Sequence, residues 1–578
     1  MPPSDLQSTL SIANTSTIAG AVLHLARIEA AGNTQSRPRR RAVRSVAQAL
    51  WSASGLALAA AVLVSATGCG NTYRPVVSAI NPVGPAAQPQ KFAVVISTTG
   101  TTTANTTATF SSGASSITVS SVTGIVSGQL VVGAGIASGT TVSGSPSGTT
   151  VNLSSPTTAA ESSTPVVFSN PTPGLVTFVD FSGDTTLITA QIGVNPYYLI
   201  LNSGGTTGYT LNSDHTLTTF DISTALLQSQ ILQTTLLPGA NPVSIFPEGT
   251  NTYVTDTGLN AISQFTGQPL NLQQQLSIDP AFSPIYVAGI ASAPRVYAIS
   301  QRKAGGLGQV STIESTSNTV DPNPIPVGQN PVYGVMTNDA RRAFIMNQGD
   351  GTVSVINAQT NLLDVVPAGA TNPIKVGTSP LWADFAPTRN EMVVANAGDG
   401  VNPGSASIIS IPLCSAAALP NNPNCDLNNP VDAVGFGTVL ATVPTGLNSI
   451  MVSVLQDGTR AYIANQGNLN LPCALPPAVP GVSTVCSVSI INLTTNTLIQ
   501  TLYSLPDSAC AGNAAKNQLP TLCGHPAYIA ATTGTPTGKV YVVSKDSQFM
   551  SVIRTDTDAF DTSIPLQGNG VSVRVTQP

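Results

Sequence analysis

The sequence predicts an all-β chain built from repeated four-stranded antiparallel sheets, and three observations predict it. The composition is turn-rich: 50 Gly and 44 Pro occur in 578 residues, of which 42% are hydrophobic, 8% charged and 5% aromatic. Such a chain can bury cores but is broken too often for long helices. One unit recurs from residue 195 almost to the C-terminus. Within it, apolar and polar residues alternate between Gly, Asn and Asp turns, which is the period of a strand.

Each unit opens on Asn, Ser, Asp or His followed by Pro or a near variant, often just after Gly, and continues as an apolar first strand. Copies begin "NPYYLIL" at 195, "NPVSIF" at 241, "DPAFSPIYV" at 279, "NPVYGVM" at 330, "SPLWADF" at 379, "NSIMVSV" at 448 and "HPAYIAA" at 525. The second strands read "TGYTLN", "NTYVTD", "RVYAIS", "RAFIMN", "EMVVAN", "RAYIAN" and "KVYVVS". A turn then leads to a third strand, such as "TVSVINAQT" at 352 or "SVSIINLTT" at 487, and to a looser fourth, such as "TLIQTLYSL" at 497. Start-to-start spacings are 46, 38, 51, 49, 69 and 77 residues. A four-stranded unit needs about 40 to 50 residues, so the last two contain insertions.

This pattern, clearest in "RAFIMNQGDGTVSVINAQTNLL", resembles the YVTN-type β-propeller repeat of bacterial and archaeal surface and periplasmic proteins, over roughly residues 78–578. The resemblance implies a ring of four-stranded blades. Third strands "GLVTFVDFS", "TLTTFDIS", "NAISQFTG", "QVSTIEST", "TVSVINAQ", "SASIISIP", "SVSIINLT" and "FMSVIRTD" give eight blades by count, with seven, commoner in the resembling family, as the alternative. In the first blade, Pro82, Pro85 and Pro89 spoil an inner strand by removing ladder donors. The C-terminal "GVSVRVT" sets Val571, Val573 and Val575 against Ser572, Arg574 and Thr576. It is expected to complete that blade and close the ring, which leaves only short, protected edges.

Residues 99–167 are rich in Ser, Thr and Gly, and no charged residue falls between Lys91 and Glu161. By composition the segment could be a disordered linker. Its alternation between Gly turns favours a small β module inserted in the first blade, similar to those of phage-tail and bacterial surface proteins.

The N-terminal region reads as an address. "RPRRRAVR" supplies a basic start, Gly55 to Ala66 an apolar run, and "SATGC" ends on Cys69. This resembles a bacterial lipoprotein signal, which implies that Cys69 is lipidated and becomes the mature N-terminus. The family usually has Leu three places before the Cys, where this chain has Ala66. An uncleaved anchor from about Val46 to Ala66 is the other reading. The expected organisation is a removed leader and signal at 1–68, a Pro-rich tether at 69–90, and a propeller at 91–578 interrupted by the module at 99–167. Gly70, rather than Asp, follows the Cys, which points to the outer membrane of a two-membrane cell.

Residues 1–68 hold six basic and two acidic groups, so their removal leaves 15 basic against 24 acidic residues, a net charge near −9. No basic stripe remains for nucleic acid, which needs clustered Lys and Arg. The other six cysteines form three close pairs, Cys414/Cys425, Cys473/Cys486 and Cys510/Cys523, separated by 11, 13 and 13 residues. Six cysteines allow 15 pairings, and short separations in Pro-rich loops favour nearest-neighbour disulfides in an oxidising compartment. A metal reading is weaker, because no pair has CxxC spacing and the chain has three His.

Residues suited to catalysis are few. His24 precedes the signal, His215 sits in the turn "NSDHT", and His525 opens a unit just after Cys523. A lone His in such places is commonly a turn or capping residue. "NQGDG" and "NAGDG" offer Asp350 and Asp399 to calcium, but without the spaced oxygens of an EF-hand loop. "GGTTG" and "GSPSGTT" lack the Lys of a phosphate loop. No cofactor is expected. The function expected is non-catalytic binding or adhesion at the cell envelope, with an envelope protein or polysaccharide as partner. The alternatives are a sugar-lactone hydrolase, which the resemblance to lactonase propellers implies, and a propeller serving a redox partner. The module and the Cys473 and Cys510 excursions enter connections on one face, where binding is expected to map.

Mass spectrometry of the native protein should find a diacylated Cys69 at the mature N-terminus. Recovery of Cys69→Ser in membranes with residues 46–66 intact would support the uncleaved anchor instead.

Overall fold

The second strand of each repeat is apolar on both faces because a neighbouring sheet packs against each face. Arg342–Asn347 is buried throughout: Ala343 and Ile345 point into one intersheet core, Phe344 and Met346 into the next. This logic repeats around the molecule. The structure, a computed structural model, describes residues 91–99, 102–291, 293–364, 371–412, 435–514, 521–532 and 538–576, all within the unit Asn71–Pro578. The leader, the tether, His24, Cys69, Cys414 and Cys425 lie outside the described residues.

Among the described residues, eight antiparallel sheets share one plan, each stepping outward from a first strand. Those first strands are Asn569–Val575, Pro196–Leu201, Pro242–Glu248, Phe282–Gly289, Pro331–Met336, Pro380–Ala386, Ser449–Val454 and Pro526–Ala531. Neighbouring first strands touch in that order, and the last touches the first. Each junction between adjacent sheets has its own apolar core. The chain is therefore a β-propeller, with its first strands around a central channel.

The C-terminal strand makes the ring continuous. Asn569–Val575 pairs antiparallel with Phe92–Thr98, with Val573 opposite Val95 and Val575 opposite Ala93. Val571 and Val573 are buried, each contributing about 1.5–3 kcal/mol of burial. Val573 joins Ala93, Val95, Tyr541 and Val543 in the core between the last sheet and the first.

The motif that opens each unit has two physical causes. Asn195, Asn330, Ser379 and Asn448 adopt φ of 46°, 48°, 58° and 57°, a left-handed conformation that Asn tolerates best among residues with a side chain. The second cause is a buried Asn that ends several second strands and clamps the third. Asn347 Nδ2 donates to the hydroxyls of Thr352 (3.0 Å) and Ser354 (2.9 Å). Asn465 does the same to Ser487 (3.0 Å) and Ser489 (2.9 Å), and Asn396 to Ser405 (3.2 Å) and Ser407 (3.0 Å). Any side chain at Gly328 or Gly377, just ahead of the first strand, would collide with Asn347 or Asn396. Glycine is required at those two places by the clamp.

Between Phe92–Thr98 and Pro173–Asp180, the second and third strands of the first sheet, the chain builds a separate five-stranded sheet. Its strands are Thr102–Phe110, Ser116–Val119, Leu130–Gly133, Thr150–Asn152 and Glu161–Ser169. It has its own core, including Phe110, Ile117, Val151 and Phe168. It rests on neighbouring connections through Ser138 N–H to Ala240 O (3.0 Å) and Gly139 N–H to Ser213 O (2.9 Å).

Among the described residues two disulfides are formed, Cys473–Cys486 and Cys510–Cys523. The first lies between the second and third strands of its sheet, Arg460–Asn465 and Cys486–Asn492. The second lies between the outer strand Thr497–Leu505 and the next first strand, beside a short helix Asp507–Ala514. In an antiparallel meander these connections emerge on the same face as the inserted sheet.

Deleting residues 569–578 should expose the edge of Phe92–Thr98 and shift the protein from monomer to aggregate in size-exclusion chromatography. Unchanged elution and melting would show that this pairing is dispensable.

Candidate functional site

Every first strand begins with the same irregularity. The ladder skips one residue between Pro242 and Ser244, Pro284 and Tyr286, Pro331 and Tyr333, Pro380 and Trp382, Ser449 and Met451, and Pro526 and Tyr528. The same skip separates Pro196 from Tyr198 and Gly570 from Ser572. A bulge re-aims the residue that follows it. Around the ring those residues are Ser572, Tyr198, Ser244, Tyr286, Tyr333, Trp382, Met451 and Tyr528, of which five are aromatic.

Aromatic residues of adjacent first strands meet one another. Tyr286 and Tyr333 lie 4.9 Å apart between ring centroids, and Tyr333 stacks on Trp382 at 3.9 Å. Tyr198, Tyr286 and Tyr333 lie close enough to perturb one another's ionisation, although Tyr198 and Tyr286 belong to strands separated by another first strand. Tyr198 and Tyr286 are half-buried and Tyr333 is buried. Burial pushes the ionisation of Tyr198, Tyr286 and Tyr333 far upward, so they remain neutral hydrogen-bonding groups.

Arg574, from the closing strand, enters this girdle. Its guanidinium carbon stands 5.7 Å from the ring centroid of Trp382 and 5.7 Å from that of Tyr528. Each contact is worth about 0.5–2 kcal/mol, more as water is excluded. Among the described residues the guanidinium meets no hydrogen-bond acceptor, so its N–H groups stay available.

Asp384 supplies the nearby negative charge without bonding Arg574. Asp384 Oδ2 accepts from Val454 N–H (2.8 Å) and Oδ1 from Phe385 N–H (2.9 Å). Desolvation pushes its pKa up to about 6, against the lowering effects of those two amides and of Arg574. The centre of the channel therefore presents a cation with free donors, a carboxylate engaged by backbone amides, and neutral aromatic hydroxyls.

The residues singled out in the sequence sit elsewhere. His215 occupies a turn at φ 68°, with Nδ1 buried and unpartnered, beneath the inserted sheet at Gly139. Asp350 accepts from Thr352 Oγ1 (2.6 Å) and Gln329 N–H (2.9 Å), and Asp399 from Val401 N–H (2.9 Å) and Asn402 N–H (2.7 Å). Both carboxylates are turn caps, and the Asn402 and Val401 amides hold that of Asp399 down at about 2. His525 is buried beside Cys473 and Cys486, with Nδ1 at 2.7 Å from Asp546 Oδ2 and Nε2 at 3.0 Å from Leu471 O. The aromatic girdle was missed, although its signal is plain: an aromatic stands fourth in "NPYY", "SPIY", "NPVY", "SPLW" and "HPAY".

No protein-family model and no curated protein sequence matches the chain. Among solved structures it is similar to apo AztD from Citrobacter koseri, at 9% identity, covering 69% of this chain and 94% of that one with a TM-score of 0.44. It is also similar to the dihydro-heme d1 dehydrogenase NirN in complex with DHE, at 13% identity, covering 68% and 72% with a TM-score of 0.44. A third is a Bacteroides fragilis protein described as a candidate 6-phosphogluconolactonase, at 15% identity, covering 70% and 93% with a TM-score of 0.37.

The raised pKa of Asp384 has a measurable consequence. Its folded value of about 6 exceeds the ordinary 3.8, so its contribution to stability is full below about 3.8 and is lost as pH rises to about 6. Asp384→Asn should flatten the fall in melting temperature across that window. Glu248, pushed up to about 8 by desolvation, leaves a residual slope in both proteins. Identical slopes for the two between pH 4 and 6 would contradict the placement of Asp384.

Proposed function

We propose that this chain is an eight-bladed, lipid-anchored binding propeller of the bacterial cell envelope, probed by its ligand through the central channel at Arg574. The observation that carries the reading is the Arg574 guanidinium, with aromatic faces on two sides and no acceptor among the described residues. Keeping a cation deep in a protein without a hydrogen-bonded partner costs stability, and a carboxylate offered by a ligand would satisfy two N–H groups at once. The ring faces of the girdle suit the apolar faces of sugar rings, so the partner is an acidic envelope polysaccharide. The bulged positions lie near the end of each first strand where outer strands feed back. The ligand therefore enters from the face that carries the inserted sheet and both disulfide loops.

Anchoring at Cys69 and residence in the outer membrane complete the proposal and rest on the signal alone. The lactone-hydrolase alternative would need a free base at the channel, and both oxygens of Asp384 are already bonded by main-chain amides.

Calorimetric titration with galacturonate oligomers should show binding that falls at least about tenfold in Arg574→Gln, which is the loss of one bidentate ion pair. The same protein should not turn over sugar lactones. Lactone hydrolysis abolished by Asp384→Asn would overturn the binding reading in favour of the enzyme.

A further inference from the structure

A second cluster stands apart from the channel, where the Cys473–Cys486 loop meets the start of the next sheet. One ligand atom from each of Cys473, Cys486 and His525 lies within 4.8 Å of the others, and all three residues are buried. Their fractional exposures are 2%, 0% and 7%. Asp546 Oδ2 stands 2.7 Å from His525 Nδ1, and Asp546 Oδ1 accepts from the His525 N–H at 2.7 Å. A carboxylate that fixes a histidine through Nδ1 and leaves Nε2 as the nitrogen able to take a metal, with two cysteine sulfurs close to the ring, is the arrangement found around zinc ligands.

We propose that the disulfide form is one of two states of this corner, and that the dithiol form is a Cys473–Cys486–His525 site for a borderline-soft divalent cation of the zinc class. In the disulfide state both imidazole nitrogens face acceptors, Asp546 and the Leu471 carbonyl 3.0 Å from Nε2. Through these two contacts the ring bridges the loop and the next sheet.

The conversion balances as follows. A dithiol reductant gives two electrons and two protons to the Cys473–Cys486 bond and is itself oxidised to a disulfide, leaving two thiols. The cation then displaces the two thiol protons and the Nε2 proton. Nδ1–H continues to donate to Asp546, which holds the ring in place. Leu471 O, freed from Nε2, is the adjacent oxygen for the fourth position. The loop is tied across its own neck, with Cys473 bridged to Thr484 and Ala474 N–H donating to Thr484 O (2.8 Å), while the outer side chains Leu469, Leu475, Val479 and Val482 are exposed.

The site is testable on the full chain with the metal alone. The protein is reduced with dithiothreitol, desalted without oxygen and titrated with cobalt(II), then zinc. The reduced protein should bind one equivalent that gives thiolate-to-cobalt charge-transfer absorption and the visible bands of tetrahedral cobalt. The oxidised protein should give neither. His525→Ala should remove that equivalent, and Asp546→Asn, whose side chain can still accept from Nδ1, should weaken it about 10–100-fold. Cobalt held by the reduced Cys510 and Cys523 would be indifferent to both changes. No His525-dependent cobalt or zinc in the reduced protein, or the same affinity in Asp546→Asn as in wild type, would overturn the proposal.

Discussion

The pairing of Asn569–Val575 with Phe92–Thr98 is the constraint on which the rest depends. A propeller sheet cannot bury both faces unless it has a neighbour on each side, and a linear array would leave two sheets half-covered. Here one antiparallel ladder joins residues nearly five hundred positions apart and supplies the missing neighbour. The same strand brings Arg574 to the channel, so the ring and its central cation come from one segment. Structure and candidate function are therefore coupled at the chain's end.

The channel shows how a repeat can build a site without repeating a catalytic residue. The bulge after each strand-opening dipeptide turns one side chain per sheet toward the axis, and five of the eight are aromatic. Four of these aromatics, Tyr286, Tyr333, Trp382 and Tyr528, lie on the arc of the ring that also carries Asp384, while Ser244 and Ser572 leave the other side narrower in side-chain bulk. The result is an asymmetric lining from a nearly symmetric backbone. Such asymmetry lets one cation, contributed once, define the chemistry of the centre.

The corner around His525 differs in kind. The channel is assembled from equivalent places in the repeat, whereas Cys473, Cys486, His525 and Asp546 come from an insertion and from the strand ends of two adjacent sheets. Insertions in connections carry little of the fold's stability, so side chains there are free to acquire redox or metal chemistry that the repeat forbids. The inserted sheet at Thr102–Ser169 follows the same rule, since it holds its own core and touches the ring through neighbouring connections.

The sequence by itself determined the strands, their grouping and the closing role of the C-terminal segment, because these depend on local alternation, turn residues and repeat spacing. The pairings Cys473–Cys486 and Cys510–Cys523 were legible for the same reason: the partners are close in the chain. The Asn-Pro openings and the Asn ending several second strands were visible as a pattern, but their cause, a left-handed residue and a buried clamp on alternate hydroxyls, appears only in three dimensions. Tertiary structure alone decided the candidate site. Tyr198, Tyr286, Tyr333, Trp382, Asp384, Tyr528 and Arg574 are spread over 377 positions, and only a closed ring with a bulge in every first strand turns them toward one axis. The pairing of His525 with Asp546 across a turn, beneath a disulfide from the preceding sheet, was hidden for the same reason, because contacts between blades are set by ring geometry rather than by sequence neighbours.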